Sequence, residues 1–256
     1  MAPRNKAEQS REVQIIAVGQ ERISVAIVGT MPFICNRVSG KAPGEFLVPA
    51  GKKNAAEKSQ NVKHDVFQEY RNSPYTLDSG PTLLAFLATA FKRAMMTAAL
   101  DMPGTKKAQI GRLVRVEGER LPLYGVPKLL MSITRCADIA RTPDMLTRAI
   151  LPQWAMLLNI TYPTPHLREK SVINLLAAAG LFAGVGDWRT EKGAGNYGSF
   201  RLAGSDDAEL KQIMATGGRN AQIAAINTPA CYDDETEALL EWYRSVTAER
   251  GLKVAS

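Results

Sequence analysis

Between residues 179 and 202 the chain reads AGLFAGVGDWRTEKGAGNYGSFRL, a stretch holding six glycines. The run before it, REKSVINLLAAAGLF over 168–182, places Val172, Leu175, Leu176 and Ala179 on one helical face. The run after it, YGSFRLAG, has the composition of a short strand. The glycines therefore lead from a helix end into a strand, and that order limits what their spelling can mean. Gly193-Ala194-Gly195-Asn196-Tyr197-Gly198 spells GxGxxG. A dinucleotide loop with that spelling follows a strand and opens a helix, so that pyrophosphate meets free N–H groups. Here the order is reversed, and the dinucleotide reading falls. Two readings remain: a tight helix-to-strand return, or a loop whose backbone approaches a phosphate chain. In the second, Gly184, Gly186, Gly193, Gly195 and Gly198 supply positive φ angles and close approach. Arg189 and Lys192 add charge, Trp188 and Tyr197 offer stacking faces, and Asp187 holds the loop through its own backbone amides.

The rest of the chain gives this loop its setting. RISVAIVGTMPFI (22–34) alternates as a strand. Residues 37–78 are rich in Gly, Pro, Lys and Asn without a sustained period, a long insertion of the kind that carries function. PTLLAFLATAFKRAMMTAAL (81–100) reads as one helix opening at Pro81, with Leu83, Leu84, Leu87, Phe91, Ala94 and Met95 on its apolar stripe. From Ile110 to Thr134 two or three short extended segments follow, and 132–150 is an extended, polar interruption. Residues 150–163 form another strand. The order is βαββαβ, an α+β ferredoxin-like or RRM-like core with an antiparallel sheet and both helices on one face. The expected organisation is a leader over 1–20, a core domain over 21–203 and a C-terminal appendix over 204–256 with two helices. The second of these is closed at its start by a capping box of Asp234 and Glu237 and at its end by Gly251.

Composition narrows the partners. Thirty-two Lys and Arg against 25 Asp and Glu give a net charge of +7, which favours a polyanionic partner. Lys52, Lys53, Lys58 and Lys63 fall in the insertion near Phe67, Tyr70 and Tyr75, and Arg135, Arg141 and Arg148 surround the turn in 132–150. No run of apolar residues is long enough to span a bilayer, so a membrane is not an expected partner, and the polar opening lacks a secretory signal's apolar core. Three scattered cysteines, Cys35, Cys136 and Cys231, support neither a disulfide framework nor a zinc site, which fits a cytoplasmic protein without metal or cofactor.

A βαββαβ plan whose second helix enters GVGDWRTEKGAGNYGSF and then a last strand resembles the RAMP superfamily of CRISPR-associated RNA-binding proteins. In that superfamily a GxG–spacer–GxG loop occupies this place, and Gly184-Val185-Gly186 with Gly193-Ala194-Gly195 fill the pattern. The chain is most similar to the backbone-subunit type, as a divergent relative. That resemblance implies a sequence-independent binder of single strands, RNA more than DNA, that assembles head to tail into a filament. It also implies that the insertion at 37–78 and the segment 132–150 protrude over a neighbouring subunit. Two alternatives stay open: a RAMP-type endoribonuclease, and an interaction protein or inhibitor that copies a backbone subunit.

For a nuclease, His64 beside Asp65 would face a phosphodiester, while a lone loop histidine is otherwise simply solvated. His166 reads as a capping or packing residue. No serine or cysteine has a base in motif spacing, so the expected class is a binding protein and not an enzyme.

Overall fold

The computed structural model describes residues 16–37, 62, 64–135, 143–192 and 195–252. Two long strands form its centre. β1 (Gly19–Gly29) and β9 (Ala155–Thr164) pair antiparallel from Gly19↔Thr164 to Val28↔Ala155. β10 (Phe200–Ala203) lies on the free side of β1, and β6 (Arg120–Tyr124) and the short β5 (Arg115–Val116) lie on the free side of β9. Counted within the βαββαβ unit, the strands run fourth, first, third, second across an antiparallel sheet. The fold is α+β, as expected, and of a ferredoxin-like type.

Both core helices cover one face. α2 (Ala88–Ala98) brings Phe91, Ala94, Met95 and Ala98 against Val172, Leu175, Leu176 and Ala179 of α4 (Glu169–Phe182). Beneath them Met156, Leu158, Ile160 and Tyr162 alternate inward along β9, while Leu157 between them is exposed on the other face. Each such aliphatic side chain, fully buried, contributes about 1.5–3 kcal/mol.

A second sheet runs in the order β2 (Phe33–Ile34), β8 (Pro143–Leu151), β7 (Lys128–Arg135). The segment 132–150 thus supplies most of an antiparallel hairpin, paired from Arg135↔Pro143 to Lys128↔Ile150. The continuous strand expected over 22–34 is split between the two sheets. Trp154 causes the break: its ring lies where a side chain on Gly29 would be, and its indole N–H donates to the Met31 carbonyl at 2.8 Å. In the same corner the strand expected over 150–163 is two, β8 ending at Leu151 and β9 starting at Ala155.

The helix expected over 81–100 is also two elements. Leu84–Leu87 is a strand, β4, pairing with β6 and with β3 (Tyr75–Thr76), and the helix opens only at Ala88. Leu83 and Leu84 satisfy helical spacing, but their N–H groups donate to Oε1 of the distant Gln222 at 2.8 and 2.9 Å, which holds them extended. Two shorter helices were not expected. α1 (Val66–Asn72) lies inside the insertion, capped by Asp65, which accepts from the Gln68 amide at 3.0 Å. α3 (Lys107–Leu113) replaces the first of the extended segments and buries Ile110.

The C-terminal region holds three helices where two were expected. α5 (Ala208–Thr216) is capped by Asp207 and sets Leu210 and Ile213 on the sheet's other face, against Val28, Tyr124 and Ala155. Arg201 hydrogen-bonds Asp207 and, with the Leu210 amide, holds its carboxyl down at about 2. α6 (Arg219–Asn227) carries the buried Gln222. α7 (Asp234–Glu249) begins one residue earlier in its capping than the sequence suggests, because Asp233, not Asp234, accepts from the Thr236 amide at 2.8 Å. It packs on β7, where the Met131 amide donates to Thr236 Oγ1.

Candidate nucleic-acid interface

The glycine-rich loop is built by approach of backbone to backbone. Gly184 leaves α4 at φ +66°, and Gly186 and Gly198 adopt +85° and +72°. Gly195 is different: its φ is not positive, and its place is set by contact, since a Cβ there would strike the Trp188 carbonyl. Gly193 lies outside the described residues. The two ends of the loop are laced together by Val185 N–H to the Gly198 carbonyl at 2.9 Å. They are then laced to the corner after β1 by Gly198 N–H to Pro32 O at 2.8 Å and Asp187 N–H to Ile34 O at 3.1 Å. The amides of Gly184, Val185, Asp187, Tyr197 and Gly198 all donate within the protein, so those five cannot also serve a phosphate chain. A phosphate contact by these five amides is therefore ruled out, and the side chains of the loop take on more of the reading.

The charges are distributed differently from the sequence reading. Arg189 folds back, its Nε on Glu191 at 2.8 Å and Nη1 on the Gly186 carbonyl at 3.2 Å, and so staples the loop. Arg148, on β8, reaches the loop from the other sheet. Its guanidinium sits 5.5 Å from the Trp188 ring centroid and pairs with Asp187, whose carboxylate also accepts from Asn36 at 3.1 Å. Asp187 thus holds the loop through side chains and not through its own amides. Burial pushes the Arg148 pKa down, and Asp187 opposes that shift. Trp188 and Tyr197 stack tilted at 6.0 Å and, with Tyr232, cover Ile34, Leu130 and Ile150. The two aromatics are half-buried, each with a face on this small core.

Next to Arg148 opens a pocket of about 240 Å3 whose lining includes Asn36, Arg37, His64, Asn72 and Thr147. Arg37, exposed and lining the same pocket, lies 5.8 Å from the Tyr75 ring centroid, and Arg120 lies 5.6 Å from the same ring. A band therefore runs Trp188, Arg148, Arg37, Tyr75, Arg120, with cations and aromatics interleaved. Arg37 and Arg120 were not among the sequence candidates. Arg37 had a local signal, a cation just past a strand, but Arg120 is one charge among several in a segment read only as extended. Of the insertion's other aromatics, Tyr70 is fully buried with its hydroxyl on the Ala225 carbonyl, and Phe67 lies under Arg244. Lys52, Lys53, Lys58, Lys63 and Arg141 lie outside the described residues, as do the side chains of Arg135 and Lys192.

His64 is not the solvated loop histidine of the simplest sequence reading. Its Nδ1 lies 2.9 Å from Glu69 and its Nε2 3.0 Å from Asp144, so it clasps α1 to β8. Both ring nitrogens are engaged, which leaves neither to take a proton from a ribose hydroxyl without breaking the clasp. His166 is exposed ahead of α4, which has no side-chain cap. The Cys35 thiol is buried, and burial alone pushes its pKa up to about 12. Native protein should therefore leave Cys35 unalkylated by iodoacetamide at pH 8 while denatured protein labels it, as peptide mass mapping would read; equal labelling in both states would contradict that burial. Among the described residues, no cluster of three His, Cys, Asp or Glu side chains is placed to hold a metal ion. No helix among them is long and apolar enough to cross a membrane.

No protein-family model matches the chain, and no curated protein matches it.

Proposed function

We propose that this chain binds single-stranded nucleic acid, RNA in preference to DNA, without regard to sequence, and that copies assemble along the strand as in the RAMP superfamily it resembles. The observation that carries the reading is the interleaved band of Trp188, Arg148, Arg37, Tyr75 and Arg120. A single strand offers alternating needs, a phosphate every nucleotide and a base face between, and arginines interspersed with aromatics meet both. Arg37 and Arg120 are exposed beside Tyr75, where they can grip phosphates, and a base takes a ring face by displacing a guanidinium from it. The ferredoxin-like strand order and the helix–glycine loop–strand sequence support the family reading, and the preference for RNA rests on that resemblance. The laced loop has a different part in it: it fixes Trp188 against Arg148 and so sets one end of the band.

Fluorescence anisotropy with labelled oligonucleotides of increasing length tests this. Binding should rise with length and fall steeply with salt. Tyr75→Ala should weaken it roughly tenfold, since one base stack is worth about 1–3 kcal/mol. Arg37→Ala with Arg120→Ala should in addition flatten the salt dependence by about two phosphates. No binding of any single strand at low salt would sink the proposal.

A further inference from the structure

Strand β1 is longer than the strand on its outer side. β10 pairs with it only from Gly29↔Phe200 to Ala26↔Ala203, after which the chain leaves for α5. The bonding pattern shows what stays open. Gly29 N–H donates to the Trp154 carbonyl on the β9 side, and Thr30 N–H to the Ser199 carbonyl on the β10 side. Antiparallel ladders alternate, so the odd residues of β1 bond β9 and the even ones face outward. Ala26 and Val28 meet β10 there. Ser24, Arg22 and Gln20 lie past its end, all exposed, and among the described residues their backbone groups bond nothing on that side.

Charged side chains commonly blunt a bare edge. Here the side chains are drawn the other way. Arg22 pairs with Glu117 at 2.8 Å, Ser24 Oγ donates to Asn159 Oδ1 at 2.6 Å, and Glu21 accepts from the Tyr162 hydroxyl at 2.9 Å. Asn159 and Tyr162 are on β9 and Glu117 directly follows β5, so all three partners lie inward of β1. Helix α4 adds a wall. It starts soon after β9 ends opposite Gly19 and reaches β10 at Gly180, which lies against Phe200. Ile173 and Ala177 share the Gly180 side of the helix by its period. Both are half-buried, as are Val25 on β1 and Leu202 on β10.

We propose that this edge docks an extended peptide segment of another protein, which joins the sheet as a strand beyond the end of β10. Backbone donors and acceptors in strand register are matched by another strand. Alternation then dictates its side chains: apolar opposite Glu21, Ile23 and Val25 on the α4 side, polar opposite Arg22 and Ser24. From Gly19 to Val25 there is room for about six residues. The residues ahead of β1 do not suit the place: 7–14, AEQSREVQ, lack apolar alternation, and Ile15–Val18 holds no turn residue. This goes beyond the strand-binding reading, since it needs no nucleic acid and uses no residue of the band.

Amide hydrogen exchange followed by NMR tests it. In the free protein the Gln20, Arg22 and Ser24 amides should exchange at least about tenfold faster than those of Glu21, Ile23 and Val25, which β9 holds. The peptide Ac-Thr-Val-Thr-Val-Thr-Val-Lys-NH2, at up to about 1 mM, should slow the first three and leave the others unchanged. Methylating its threonine nitrogens, which face β1, should weaken binding at least about tenfold, and methylating the valine nitrogens far less. Ser24→Pro removes one edge donor and should weaken the peptide roughly 2–10-fold, whereas Ser24→Ala keeps the donor and should not. Edge amides that are already slow in the free protein overturn the proposal, because another part of the chain then covers them. Protection that is absent or falls elsewhere overturns it too, as does equal binding of the threonine-methylated peptide. Oligonucleotide binding is read separately and stands or falls without these results.

Discussion

Replacing Gln222 with leucine should cost about 3–5 kcal/mol of stability, although the volume hardly changes. The amide is fully buried in α6 and satisfied on every side. Its Oε1 accepts from Leu83 and Leu84, and its Nε2 donates to the carbonyls of Leu123, Gly125 and Gly217 at 2.8–3.0 Å. Leucine would leave the Leu83 and Leu84 amides and the Leu123 and Gly125 carbonyls without this partner, at about 1–3 kcal/mol for each that no water reaches, while the Gly217 carbonyl keeps the Gly125 amide. For a chain of this size that is roughly a 6–10 °C fall in Tm. Urea denaturation of Gln222→Leu beside the exposed Gln212→Leu decides the matter. The control should move by less than about 0.5 kcal/mol. Equal, small effects in both would show that the amide holds nothing together.

The second large effect should come from Gly198→Ala. At φ +72° an alanine costs about 1–2 kcal/mol from conformation alone, and its Cβ would also strike the Val185 carbonyl oxygen. Relief requires parting the Val185–Gly198 and Gly198–Pro32 bonds, so the loop should leave its seat and take Trp188 off Arg148. Three glycines separate the causes. Gly204 has neither a positive φ nor a neighbour within 4 Å, so its alanine variant should be neutral. Gly80 has φ +109° in open space and should lose only the conformational part. Gly198→Ala should exceed both, at about 3 kcal/mol or more, with loss of the near-ultraviolet circular dichroism from Trp188 and Tyr197. If strand binding follows the proposed band, it should weaken along with that signal. Equal stabilities for the three variants would refute the lacing.

The local signals in the sequence were accurate where each element's conditions lie within a few residues. The helix over 169–182 and the strand after the glycines were legible because period and breaker sit together. So was the α+β plan, which needs only the order of such elements. The Leu83–Leu87 stretch was misread because its spacing suits a helix, and what holds it extended is an amide 138 residues away. The positive φ at Gly184, Gly186 and Gly198 was foreseeable from residue type. That the Gly198 and Asp187 amides are taken by the Pro32 and Ile34 carbonyls was not, because those partners come from another sheet corner.

The same division holds for the site. The sequence by itself determined a basic chain with a helix–glycine loop–strand return, and it singled out Trp188, Tyr197 and Arg148 as candidates. Only the tertiary structure decided which cation meets which ring. It turned Arg189 inward onto Glu191 and brought Arg148 over Trp188, while Arg37 and Arg120 converged on Tyr75. The reason is physical: a side chain's charge is fixed by its covalent structure, whereas its partner is fixed by strand register and sheet crossing. Those are set by burial of apolar faces contributed from the whole chain.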